Sequence, residues 1–234
     1  MKPQNRVDAI EVLYNREHWR VLSQLRQKAQ RVISTLQARH IYAIVHGSVA
    51  RGDVNKNSDV DIFLPNPPSS FQIETALEQA KIPVVNREVI QATPAYAMKA
   101  YIELDDTTTI SFPLMELRRV ERQFYRFSGE INLYKLEKKK RVSGVDKRLL
   151  LIEPTEKGHV ENSIVGAEEQ IAKILGVAVE TVLDRVHVLK RRDVAGRTGV
   201  FLKQTLGSDE TFELAMKRLM DENAAVRRRL KSIF

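Results

Sequence analysis

Residues 46–64 read HGSVARGDVNKNSDVDIFL, and no other stretch of this 234-residue chain constrains its architecture as tightly. Just before it, IYAIV (41–45) is a short β-prone run. After the loop, SDVDIFLP forms a second run, stopped by Pro65, Pro67 and Pro68. On a strand, residues two apart point to the same face, so Asp59 and Asp61 set two carboxylates side by side, roughly 7 Å apart at their Cα atoms. Carboxylates so placed repel, and each resists ionising next to the other. A divalent hard cation removes that penalty, and oxygen-only ligands suit Mg²⁺ or Mn²⁺. Val60, Ile62 and Phe63 carry the strand into the core.

At the other end of the stretch, Gly47 lets an anion approach the backbone. A short helix opened by SVARG would point its first N–H groups and the Ser48 hydroxyl at that anion. Arg51 lies one turn further on, where a guanidinium pairs with phosphate. An anion seat together with a cation site is the equipment for nucleotidyl transfer.

GSVARG followed by SDVDIFL, with eleven residues from Ser48 to Asp59, resembles the signature of the DNA polymerase beta-like nucleotidyltransferases. That superfamily includes archaeal CCA-adding enzymes, aminoglycoside nucleotidyltransferases and minimal nucleotidyltransferase antitoxins. The resemblance covers about residues 41–130. It implies that Asp59 and Asp61 are catalytic and bind Mg²⁺ or Mn²⁺, and that Gly47, Ser48 and Arg51 bind an NTP. Catalytic members usually carry a third carboxylate on a later strand. Here KAYIELDDTTTISFPL reads as a hairpin turning at Asp105-Asp106, and Ser111 stands where the resemblance expects an aspartate. Glu88, in NREVI, and Glu103, on the other hairpin arm, are the possible third ligands.

Composition fits a globular chain: 43% of residues are hydrophobic. There is no cysteine, which excludes disulfides and thiolate zinc sites. No apolar run is long enough to span a bilayer, and the opening MKPQNRVDAI is too polar for a signal peptide, so the expected location is cytoplasmic. Charge is uneven. Residues 1–130 carry 17 basic and 15 acidic side chains, whereas residues 131–234 carry 21 and 15. The second half is the expected polyanion binder.

Along the chain, residues 17–38 read as a helix. Val21, Leu22, Leu25, Ala29, Val32, Ile33 and Leu36 recur at three- and four-residue steps, with Arg20, Arg26, Lys28 and Arg31 assigned to a solvated basic face. SFQIETALEQA (70–80) is a further helix capped by Ser69 or Ser70, and MELRRVERQFYRF another. Residues 131–146, rich in lysine, read as a linker. NSIVGAEEQIAKILG is a helix closed by Gly176, followed by VETVLDRVHVLKRRD and then GRTGVFL. This order resembles a winged helix-turn-helix, with Lys190, Arg191 and Arg192 on the recognition helix and Arg197 and Lys203 on the wing, all facing nucleic acid. His159 and Trp19 are assigned structural roles.

The expected fold is therefore α/β (α+β). An N-terminal helical segment (1–40) precedes a small mixed-sheet nucleotidyltransferase core (41–130), the basic linker (131–146) and a winged-helix-like domain (147–234). LLLIEPTEKGHVE and RRDVAGRTGVFL make the whole similar to a group of archaeal predicted nucleotidyltransferases. The expected reaction moves an NMP from an NTP to an acceptor hydroxyl on nucleic acid. The alternative is a nucleic-acid-binding regulator whose degenerate site senses NTP. A protein partner, as for an antitoxin, is the third reading.

Overall fold

The computed structural model describes residues 9–196 and 199–231. In chain order its elements are β1 (Ile10–Leu13), α1 (Arg16–Gln37), β2 (Ile44–His46), α2 (Ser48–Arg51), β3 (Val60–Phe63), α3 (Ser70–Gln79), β4 (Asn86–Gln91), β5 (Lys99–Asp105), β6 (Thr108–Pro113), α4 (Arg119–Phe127), β7 (Glu130–Asn132), α5 (Leu133–Glu137), β8 (Gly144–Val145), β9 (Leu150–Thr155), β10 (Gly158–Ser163), α6 (Glu168–Leu175), α7 (Val179–Ala195), β11 (Leu202–Thr205), α8 (Phe212–Glu222) and α9 (Ala224–Lys231). The mixed α/β class expected from sequence is the one observed. No helix among the described residues is long and apolar enough to cross a membrane.

Contacts divide the chain into two units. One takes the described residues of Met1–Gln30, Val45–Val60 and Arg119–Thr198; the other takes those of Arg31–Ile44, Asp61–Arg118 and Gly199–Phe234. The division cuts through α1, β2 and β3, so each side is described by itself.

The second unit is built on strands in the order β11-β4-β5-β6-β3. The hairpin of β5 and β6 pairs antiparallel as expected, with Tyr101 opposite Ser111 and Ile102 opposite Ile110. Alternation sorts the two faces. Val89, Ala100, Ile102, Ile110 and Phe112 are buried on one, where the Phe112 ring meets Phe212 of α8 edge-on at 5.4 Å. The opposite face carries Glu88, Tyr101, Glu103, Thr109 and Ser111. Neither serine caps α3 by its own hydroxyl. Instead the Ser70 N–H and hydroxyl both donate to the Glu213 carboxylate, at 2.8 and 2.7 Å.

The first unit holds a sheet in the order β1-β10-β9-β8. Its core gathers Phe127, Val145, Leu149, Leu151 and Ile164 with the apolar sides of α6 and α7, including Ile171, Leu175, Val182 and Val186. Gly176 closes α6 with left-handed backbone, as its position in the sequence predicts. His159 is buried between the Tyr14 hydroxyl, 2.6 Å from Nδ1, and the Glu161 carboxylate, 3.1 Å from Nε2. The Arg141 guanidinium lies over the Trp19 ring, 4.9 Å from its centroid.

Two expectations about organisation change. Residues 131–146, read as a linker, hold most of β7, all of α5 and β8. Lys203, read as a wing residue, lies on β11, which pairs antiparallel with β4 and has Lys203 opposite Ile90. Both are pairings of segments distant in sequence, which local composition does not report.

Candidate functional site

Gly47 is the N-cap of α2, with φ 77° and ψ −146°, a conformation that glycine adopts without strain. Nothing lies within 4 Å of where a Cβ would stand, so the backbone is open on that side. The Gly47 N–H donates to the Gly129 carbonyl at 2.9 Å, and its own carbonyl accepts from the N–H groups of Ala50 and Arg51. Ser48, half-buried, begins the helix.

A four-residue helix cannot hold itself together, because its nucleation cost is barely offset by one turn of hydrogen bonds. Two arginines hold this one. Arg26, from α1, donates through Nε to the Val49 carbonyl and through Nη2 to the Ala50 carbonyl, both at 3.0 Å. Its burial, and then the nearby Arg141, pull its pKa down to about 10. Arg51 makes a two-toothed pair with Asp53, at 2.9 and 2.8 Å, and donates to the Ser128 carbonyl at 2.6 Å.

Both findings correct the sequence reading. Arg51, expected on a phosphate, is only 5% exposed and is engaged by Asp53 and the backbone. Arg26, expected on a solvated face, is 8% exposed. A signal for Arg26 was present: it lies four residues after Leu22 and three before Ala29, on the apolar stripe itself.

The loop from α2 to β3 is a tight turn. The Asn55 N–H donates to Ser58 Oγ at 2.9 Å and the Asn57 N–H to Asn55 Oδ1 at 2.8 Å. It delivers Asp59 to the start of β3. On that strand Val60 and Ile62 are buried, while Asp61 between them is exposed, and Asp59 is exposed too. The alternation expected from SDVDIFL is the alternation observed. Beside β3, on β6, the Ser111 carbonyl accepts from the Leu64 N–H at 3.0 Å, and the Ser111 hydroxyl donates to the Ile62 carbonyl at 3.4 Å.

Residues 25–120 match the family model of the nucleotidyltransferase domain. A comparison with curated proteins returned no match. The match embraces α2, β3 and the β5–β6 hairpin, and it supports nucleotidyl transfer as the general activity of that domain.

Within the matched stretch, the two glutamates read as possible third ligands stand on other strands than Asp61. The strand order β4-β5-β6-β3 puts Glu88 three strands away and Glu103 two. At about 4.8 Å per strand the backbones of Glu88 and Glu103 lie roughly 14 Å and 10 Å from that of β3. Glu88 has another engagement. It is 6% exposed, its carboxylate meets Lys203 Nζ at 2.8 Å, and it accepts from the Thr205 hydroxyl at 3.3 Å. Burial pushes its carboxyl up, but Lys203, Asn86 and Thr205 outweigh that and hold it below the usual glutamate value. Among the described residues no group of three or more histidine, aspartate or glutamate side chains is gathered to hold a metal ion. Asp61 on β3 and Asp59 just before it are exposed carboxylates, the donor type that a hard cation takes.

The basic residues separate. Lys190, Arg191 and Arg192 are exposed on the last turns of α7. Arg197 lies outside the described residues. Lys203 is drawn to Glu88 on the sheet.

Proposed function

We propose that the chain transfers a nucleoside monophosphate from an NTP to an acceptor hydroxyl on nucleic acid, in a reaction that needs Mg²⁺ or Mn²⁺. The observation that carries this reading is the match over residues 25–120 together with Asp61 exposed on β3 and Asp59 exposed just before it. Asp59 and Asp61 hold the cation, which draws charge from the phosphates of the NTP when bound. Gly47, open where a side chain would stand, leaves the backbone accessible to a phosphate, and the Ser48 hydroxyl donates to it. Lys190, Arg191 and Arg192 neutralise phosphates of the acceptor strand.

A second reading has its own support. Ser111 stands where the resemblance expects a carboxylate, and Glu88, one of the two glutamates that could replace it, is engaged by Lys203. A site with one cation position suits a regulator that binds NTP and alters nucleic-acid affinity without turnover.

The two are separated by incubating the purified protein with each α-labelled NTP, Mg²⁺ or Mn²⁺, and pooled RNA and DNA. We expect label on nucleic acid from the wild type and none from Asp59→Ala/Asp61→Ala, whose melting temperature stays near that of the wild type. Wild-type protein that binds NTP and transfers nothing establishes the regulator instead.

A further inference from the structure

The polar face of the second unit holds one side chain that no part of the reading above uses. Tyr101 lies mid-strand on β5, half-buried, directly opposite Ser111 on β6 and Glu88 on β4. Its face can be fixed from a neighbour. The Lys99 ammonium stands 5.9 Å from the centroid of the Phe63 ring, so Lys99 and Phe63 share a side of the sheet. Tyr101 is two residues from Lys99, and Asp61 is two residues from Phe63. By the two-residue repeat of a strand, Tyr101 and Asp61 therefore face the same way. Electrostatics agree: burial, and then the negative charge of Asp61, push the Tyr101 phenol up to about 12. A phenol O–H is a hydrogen-bond donor.

Between them on β6 stands Ser111. A carboxylate there would present an anion to whatever binds beside Asp61. Serine is short, and its hydroxyl is turned to the Ile62 carbonyl. On that side of Asp61, Tyr101 offers a neutral donor, with Lys99 two residues before it on the same strand.

We propose that Tyr101 contacts the acceptor, its phenol O–H donating to the hydroxyl oxygen that a nucleic-acid strand presents beside Asp61. This rests on the nucleotidyltransferase reading. It makes the acceptor side of the site a hydrogen-bonding surface in which the Tyr101 phenol stands near the Lys99 ammonium. The acceptor it fits is a flexible, hydroxyl-bearing strand end, which can lie on an open sheet face.

The test compares wild type with Tyr101→Phe, which removes only the phenolic oxygen. The probes are α-labelled NTPs and a pool of single-stranded RNA and DNA oligonucleotides with free 3′ hydroxyls. We expect the KM for oligonucleotide to rise about tenfold, the scale of one well-made hydrogen bond, with NTP affinity and melting temperature unchanged. An unchanged oligonucleotide KM overturns the role of Tyr101 and leaves the transferase reading intact. Weakened NTP binding in Tyr101→Phe also overturns it, by assigning the phenol to the nucleotide. A wild type that transfers nothing to the pool overturns both.

Discussion

The cations around α2 and those at the end of α7 have the same chemistry and opposite fates. Arg26 and Arg51 are buried, and their guanidinium groups are consumed by backbone carbonyls and by Asp53. Lys190, Arg191 and Arg192 are exposed. In the sequence Arg51 and the cations of α7 look like ligands for phosphate, and Arg51 is the more tempting because it sits inside the motif. What separates them is desolvation. A charge stripped of water must be paired where it stands, and once paired it has little left to offer a ligand. Inside a motif, an arginine is as able to build the loop as to serve the substrate.

Three substitutions bear on this contrast. Arg51→Met has the largest expected effect. It leaves Asp53 and the Ser128 carbonyl without their buried partner, and unfolding in denaturant should show a loss of about 3–5 kcal/mol. A loss under about 1 kcal/mol would mean that Arg51 is an ordinary surface cation. Glu88→Gln has a smaller effect, and it is tied to pH. The Glu88 carboxyl is held below its usual value, so its contribution is present above the ordinary glutamate pKa and lost as pH falls through the folded value. Melting temperature should fall more steeply in acid for the wild type than for Glu88→Gln, and parallel curves would remove the pair with Lys203 from the stability of the sheet. Replacing Lys190, Arg191 and Arg192 together by alanine should change stability least, within about 1 kcal/mol in all. It should also lower the dependence of log affinity for duplex DNA on log salt by about 3. A destabilisation as large as that of Arg51→Met would erase the contrast.

The sequence disclosed what short-range patterns control. The alternation in SDVDIFL marks Asp61 as exposed between buried neighbours. The glycine before SVAR opens α2, the turn at Asp105-Asp106 joins β5 to β6, and Gly176 ends α6. What it hid depends on partners far along the chain. β1 pairs with β10, Val12 opposite His159, and β11 with β4. Glu213 supplies the cap of α3 from another helix. Arg26 differs: its place on the apolar stripe is visible in the sequence, and only its charge makes it read as solvated. For the site, the two aspartates were legible because alternation is local. The distance of Glu88 and Glu103 from Asp61 was not, because strand order is set by the whole sheet.

Gly129 accepts the N–H of Gly47, and a Cβ added to it would stand 2.8 Å from Cγ of Arg51. The clasp around α2 thus closes only when residues 26, 47–53 and 128–129 have met, and Val145 adds a last carbonyl, 3.5 Å from Arg51 Nη1. During synthesis the motif emerges from the ribosome long before the chain that fixes its shape. Such long-range closure is slow relative to helix formation, so the glycine-serine turn is translated early and shaped late. The stretch covered by the family model, which ends at residue 120, is shorter than the stretch its geometry requires.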